Sequence, residues 1–331
     1  MEAEKNVSKG DFIMNYIQQT QEFQIKEPTV VTIGKFDGRH RGHQKLLGTM
    51  LKLKQQYGYK TAVFTFSITP GDLVEGKPHT VITTNLERKN NLQKIGIDYL
   101  VEYPFTKEVA KMTAEEFVAQ ILVRRMHAKA IVVGTDCGFG YRRSGNAQLL
   151  ARLSSTYDYR LTVIEKEKDE DREISSTYIR EELDKGDIEK ANELLGEPYY
   201  IHGTVVHGNH IGEPLLGFPT ANLLPPPEKH LPPFGVYVAQ ILIQGKLYGG
   251  VTNIGKKPTI KGQTSHRPTG VETFVFDYEG NLYGEEIEVG LLHFIRPERK
   301  MEGLEELKKQ ISKDKDFSRA YFQENPQYTS C

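Results

Sequence analysis

Cysteine is nearly missing from this 331-residue chain: with only Cys137 and the final residue Cys331, neither a disulfide framework nor a cysteine metal cage can be built. That usage suits reduced surroundings, and Cys137 reads as a small buried residue without chemistry. Net charge is nearly missing too, at −1, so no whole-protein field draws the chain to nucleic acid or an acidic membrane. Any phosphate binding must be local. No run approaches the ~18 apolar residues that span a bilayer, and residues 1–19 are charged, without an apolar h-region. A cytoplasmic protein with no nucleic-acid or membrane partner is expected; its oligomeric state is left open. Internal repeats and low-complexity tracts are absent, and Leu224-Pro225-Pro226-Pro227 marks an exposed loop.

The length exceeds one ordinary domain of roughly 100 to 200 residues, so two globular units are expected. From residue 29 to about 183, short apolar runs at 30–34, 61–66, 99–101, 130–134 and 160–164 alternate with helix-period segments. That alternation is the pattern of a parallel sheet connected by helices, so this half reads as α/β. Between the third and fourth runs, Thr113 caps a helix, Glu116 completes a capping box, and Phe117, Ile121 and Met126 recur on one face. The charged stretch 165–173 reads as a solvated surface loop. Short helices over 177–183 and 187–195 precede Gly196-Glu197-Pro198, which breaks the pattern, so domains 1–196 and 197–331 are expected. Beyond Tyr199 come β-rich runs at 200–206, 236–243, 247–251, 271–276 and 286–292, joined mostly by short connections. An antiparallel barrel or sandwich follows from that texture, closed by a helix at about 304–311.

Directly after the first run stands Gly34-Lys35-Phe36-Asp37-Gly38-Arg39-His40-Arg41-Gly42-His43, with a helical run beginning near Gln44. A strand that delivers glycines and two imidazoles to a helix N-terminus makes a phosphate site, because free N–H groups and the helix dipole favour an anion there. Histidines three apart reach one phosphate chain and can donate to oxygens that gain charge as the α-phosphorus is attacked. Isolated histidines are commonly surface or packing residues; the glycines and Asp37 around these two favour the site. Two later segments admit both a functional and a plain reading. Asp136, beyond the fourth run, either meets a substrate or satisfies loop amides. Ser176, Thr177 and Arg180 either close over a triphosphate or begin a helix as ordinary capping residues. Arg142 and Arg143 read mainly as surface charge.

The segment His40-Arg41-Gly42-His43 resembles the His-x-Gly-His signature of the nucleotidyltransferase superfamily, in the form found in bacterial riboflavin kinase/FAD synthetases. Val133 to Gly140 and Ile174-Ser175-Ser176-Thr177-Tyr178-Ile179-Arg180 resemble two further segments of that family. The resemblance implies a doubly wound, Rossmann-like domain that binds ATP at the carboxyl ends of its strands. By it, His40 and His43 are catalytic; Gly34, Phe36, Asp37, Gly38, Ser176, Thr177 and Arg180 bind ATP or its phosphates; Asp136, Phe139 and Gly140 meet the flavin. Two departures stand out: Ser67-Ile68-Thr69-Pro70 where the family usually has an acidic residue and paired prolines, and Cys137-Gly138 where bulkier residues are usual.

In the second half, Gly203 to Gly208 and Gly217-Phe218-Pro219-Thr220-Ala221-Asn222 place glycines for close approach to phosphate. Thr220 and Asn222, two apart, present oxygens to one side of an extended chain; Pro-Thr-Ala-Asn alone would be an ordinary turn. With Gly250 to Gly255, Pro258-Thr259, Glu272-Thr273, Leu282-Tyr283-Gly284 and Phe294 to Pro297, the order resembles riboflavin kinases across nearly the whole half. The resemblance implies a β-barrel kinase domain in which Gly208 and Gly217 approach ATP phosphates, Thr220 and Asn222 hold Mg²⁺, and Glu272 is the base for the ribityl hydroxyl. Glu213 stands where a basic residue is usual. Riboflavin, FMN, FAD and ATP are then the small-molecule partners, with Mg²⁺ as cofactor. Alternatives are a single-activity FMN adenylyltransferase with a non-catalytic flavin-binding barrel, and a flavin-sensing binding protein.

Overall fold

A computed structural model describes residues 13–67, 80–207, 220–256 and 269–328. The expectations placed on Gly208, Glu213, Gly217, residues 68–70 and Pro258-Thr259 lie outside these. Contacts divide the chain into two units, residues up to 174 without 80–82, and residues 80–82 with 175 onward.

The first unit is built on six parallel strands: β1 Asn15–Gln18, β2 Thr29–Ile33, β3 Lys60–Phe66, β4 Tyr99–Tyr103, β5 Ala128–Gly134 and β6 Arg160–Ile164. Their order is β1-β4-β3-β2-β5-β6. The inner strands are continuous apolar runs because both faces are covered, and alternate residues divide between two cores. Val31, Phe64, Val101 and Ile131 face one cluster, whereas Val30, Val63, Leu100 and Val132 face the other. Helix α1, Arg41–Tyr57, covers the second face with Leu46, Leu47 and Met50, and α2, Asn85–Ile95, adds Leu92. The first face receives α3, Ala114–Glu116 continued by Phe117–Arg125, and α4, Ala147–Tyr157, through Phe117, Ile121 and Leu150. This is the doubly wound arrangement the resemblance implied.

Helix α3 starts as Ala114–Glu116 behind the expected Thr113–Glu116 capping box and continues as a π-helix, Phe117–Arg125. In a regular α-helix Met126 would fall roughly half a turn around from Phe117. The wider turns, closed by Met126 N–H donating to the Ile121 carbonyl, return it to the buried face. A two-stranded hairpin, β7 Lys168–Asp169 with β8 Arg172–Glu173, occupies the charged stretch read as a loop.

The second unit begins with α5, Ser176–Lys185, and α6, Ile188–Leu195. Six antiparallel strands follow: β9 Tyr199–Thr204, β10 Thr220–Leu223, β11 Gly235–Ile243, β12 Lys246–Lys256, β13 Thr269–Val275 and β14 Glu286–Pro297. Their order is β10-β13-β12-β11-β14-β9. Register shifts between β11 and β14 mark bulges that bend the sheet. One bridge, Val206 to Asn222, links the continuation of β9 to β10 and brings the two ends of the sheet together. Helix α7, Leu304–Glu324, is longer than the expected 304–311, since Phe322 joins Val238, Phe276 and Leu292 in a separate core.

The contact grouping differs from the expected boundary at 196/197. Helix α6 buries Ile188, Ala191, Leu194 and Leu195. Its Asn192 Nδ2 donates to the Leu291 carbonyl at 2.8 Å and its Oδ1 accepts from Tyr199 N–H at 2.7 Å, so α6 packs with the barrel strands. No described helix is long and apolar enough to cross a membrane.

Candidate active sites

In the first unit β2 and β5 are parallel neighbours, and from them the sheet order runs outward in opposite directions. Ligands of open α/β sheets bind at such a switch point, beyond the carboxyl ends of the strands. Here β2 feeds Gly34–Gly38 and α1, while β5 feeds Thr135–Gly140. His40 is the N-cap of α1, its Nδ1 accepting from His43 N–H at 3.4 Å. The two rings stack with centroids 3.8 Å apart, and Phe36, itself buried, lies 4.9 Å from the His43 ring. Gly42 suits this stack, because a Cβ there would press on the ring at 3.2 Å from His40 Nδ1.

His43 Nδ1 lies 2.9 Å from the Gly38 carbonyl. A carbonyl only accepts, so Nδ1 carries the proton and Nε2 is the end left for a ligand. Burial depresses the basicity of both rings; His40 is pushed down to about 3, with the neighbouring His43 and Lys166 adding to the effect. For His43 burial outweighs the Gly38 bond and the charges of Asp37 and Asp136, which act the other way. Both imidazoles are therefore neutral at pH 7. With its proton on Nδ1, the neutral His43 ring presents Nε2 as an acceptor, and only the imidazolium form donates from Nε2.

Asp37 is buried and its Oδ1 accepts from Thr83 N–H at 3.0 Å, so this carboxylate is engaged in holding the loop. Arg88 donates to the Lys35 carbonyl at 3.2 Å and pairs with buried Glu102 at 2.5 Å. Asp136 is exposed and paired with Lys166 at 3.2 Å, and Lys166 also meets Glu173 at 2.5 Å. Sequence reasoning missed Lys166, hidden in the charged stretch 165–173. Phe139 turns into the core against Phe117, ring centroids 5.6 Å apart. Gly140 adopts φ +70°, and a Cβ on it would lie 2.6 Å from Ala114 Cα. The first unit thus gathers Phe36, Asp37, Gly38, His40, His43 and Asp136. Ser176, Thr177 and Arg180 stand in the first turns of α5, in the second unit, where Ser175 is the N-cap.

In the barrel, register aligns Asn222 with Glu272 and Glu272 with Asn253, making one row across β10, β13 and β12. The Thr220 hydroxyl donates to Glu272 Oε1 at 3.0 Å. Asn222 is buried and points Nδ2 toward the Thr220 carbonyl at 3.4 Å, so its Oδ1 faces away from that strand. Asn253 ties the row to Glu298 at 3.1 Å. A cavity of about 340 Å³ opens beside Thr220, walled by Val205, Ala221, Val275, Leu282, Tyr278 and Tyr283. Its walls come from well-separated segments, so no local motif announced it.

Residues 22–178 match the FAD synthetase family and residues 195–322 the riboflavin kinase family. The chain is 35% identical over 298 residues to the bifunctional riboflavin kinase/FMN adenylyltransferase of Bacillus subtilis, covering 89% of this chain and 92% of that one. It is 35% identical over 300 residues to the enzyme of the same name from Escherichia coli K12, covering 90% and 94%. A crystal structure described as a macrolide-efflux protein from Streptococcus pneumoniae superposes with a TM-score of 0.77 at 31% identity, covering 93% of this chain and 99% of that one. With both domain matches in sequence order and similarity along the whole of each enzyme, the chain belongs to the bifunctional riboflavin kinase/FMN adenylyltransferase family.

Proposed function

We propose that the second unit phosphorylates riboflavin to FMN with ATP, and that the first transfers an adenylyl group from ATP to FMN, giving FAD and pyrophosphate. The observation that supports the reading is that each matched domain gathers its own polar cluster: the stacked His40–His43 pair in one, the Thr220–Asn222–Glu272 row in the other. In the first, a phosphate oxygen of FMN attacks the α-phosphorus and pyrophosphate leaves. His43 Nε2, with His40 beside it, donates to oxygens that gain charge in that step. Gly34, Phe36 and Gly38 shape the loop beneath the phosphates, and Asp136 and Gly140 border the flavin. Phe139 serves this border from behind, through packing.

In the second, Glu272 accepts the ribityl hydroxyl proton as that oxygen attacks the γ-phosphorus. The donor pair of one hydroxyl and one amide oxygen suits Mg²⁺, which takes hard oxygens and is usually completed by substrate phosphates and water. Thr220 and Asn222 would hold it, and it would neutralise phosphate charge there. The neighbouring cavity, of a size usual for small ligands, accepts a planar ring with its phosphates toward Thr220. The thiol usage favours a cytoplasmic setting.

Incubation with riboflavin, ATP and Mg²⁺, followed by separation of products, tests the reading: FMN should appear and then FAD. FAD formed from supplied FMN without any from riboflavin would favour a single-activity adenylyltransferase, and neither product would leave a flavin-binding protein.

A further inference from the structure

We infer that Thr83 is a positioning residue for adenylyl transfer, holding the Gly38 peptide so that His43 directs Nε2 at the phosphates. The inference rests on the adenylyl-transfer reading of the first unit. Thr83 grips the loop reciprocally: its N–H donates to Asp37 Oδ1 at 3.0 Å, and its hydroxyl accepts from Gly38 N–H at 3.1 Å. Thr83 and Asp37 are 7% and 6% exposed, so neither bond is shared with bulk water. The next link is the Gly38 carbonyl, which accepts from His43 Nδ1 at 2.9 Å. Peptide planes are rigid, so fixing the 37–38 plane on one side of the Gly38 Cα and the His43 bond on the other leaves the ring little freedom.

The clamp stands on a firm base. Thr84, the next residue, caps α2 in a complete capping box with Glu87. One turn on, Arg88 donates to the Lys35 carbonyl, so the segment 83–88 grips both ends of the loop that follows β2. A buried N–H deprived of its acceptor is strongly unfavourable. Without the Thr83 hydroxyl, Gly38 must turn its N–H elsewhere, and its carbonyl and the His43 ring turn with it. The Thr83 hydroxyl accepts from Gly38 N–H, and it is through this bond that Thr83 acts on His43.

Thr83→Val and Thr83→Ser in the full chain test this, with wild type and His43→Ala as references. The kcat and the KM for ATP in FMN adenylylation are measured, a thermal melt on the same samples reports folding of the first unit, and riboflavin phosphorylation reports the barrel. Thr83→Val should lower adenylylation kcat by about a hundred-fold, the scale of an ångström-sized misplacement. The KM for ATP and riboflavin phosphorylation should stay near wild type, and Thr83→Ser, which restores the acceptor, should recover most of the loss. Wild-type kcat in Thr83→Val overturns the inference, as does a loss confined to KM or one that Thr83→Ser does not repair. If His43→Ala adenylylates FMN at the wild-type rate, the reading of the site itself fails and takes the inference with it. An inactive His43→Ala beside a fully active Thr83→Val removes the clamp alone.

Discussion

Because burial keeps the His40 ring neutral, with its pKa down at about 3, the folded chain binds fewer protons than the unfolded chain between about pH 3 and 6.5. Stability of the first unit therefore rises with pH across that window and is lost as pH falls through it. His40 alone removes about 2 kcal/mol between pH 8 and pH 5, at roughly 1.4 kcal/mol per pH unit below 6.5; His43 acts in the same direction. Thermal melts at the two pH values should show this, and His40→Asn, a good N-cap that does not titrate, should flatten the slope. A wild-type transition that does not move would contradict it. At Glu272 the issue is chemistry. Glu272→Gln keeps the shape and the bond from Thr220 but cannot accept a proton, so riboflavin phosphorylation should fall by about a hundred-fold to ten-thousand-fold. FMN adenylylation should be untouched. Riboflavin and ATP titrations should change little, which separates a base from a binding group.

The loop after β5 is seated directly on the start of α3, where Gly140 at φ +70° lies against Ala114. Gly140→Ala combines a left-handed backbone with a 2.6 Å overlap, a cost of about 2 to 5 kcal/mol. The first unit should melt earlier while a transition belonging to the barrel stays put; a single unchanged melt would mean that the loop is not packed this way. Which elements the sequence reveals follows from where their stabilisation comes from. Strands β2, β3 and β5 are continuous apolar runs, so they were legible. Strand β1, Asn-Tyr-Ile-Gln, exists because it pairs with β4, and nothing local declares it. Helix α2 did carry a signal, the Thr84–Glu87 capping box, but its buried face is mostly polar, with Glu87, Arg88 and Asn91 beside Leu92, so no apolar periodicity showed. At the candidate sites, the closeness of His40 to His43 and of Thr220 to Asn222 was legible because spacing and strand alternation carry it, whereas Glu272 comes beside them through the pairing of β10 with β13 and was reached only by resemblance. Lys166 and the inward turn of Phe139 were not legible, since a loop has no period from which to read a direction.

At the scale of the whole molecule, the place of α6 decides where the chain can be cut. Burying Ile188, Leu194 and Leu195 contributes about 1.5 to 3 kcal/mol each. That sum is comparable with the total stability of roughly 5 to 15 kcal/mol of an ordinary domain. A fragment 175–331 should melt cooperatively and phosphorylate riboflavin, whereas 197–331, cut at the boundary the sequence suggested, should melt well below it. Equal melting temperatures would show that α6 is dispensable to the barrel. Within that barrel the strand bearing Thr220 and Asn222, Thr220–Leu223, is laddered to β13 on one side and, among the described residues, held by the Val206 bridge on the other. The ring of strands is thus a belt whose buckle is the ligand strand. A ligand held on those two oxygens as proposed would fasten the belt, so its affinity and the closing of the ring would be one property seen from two sides.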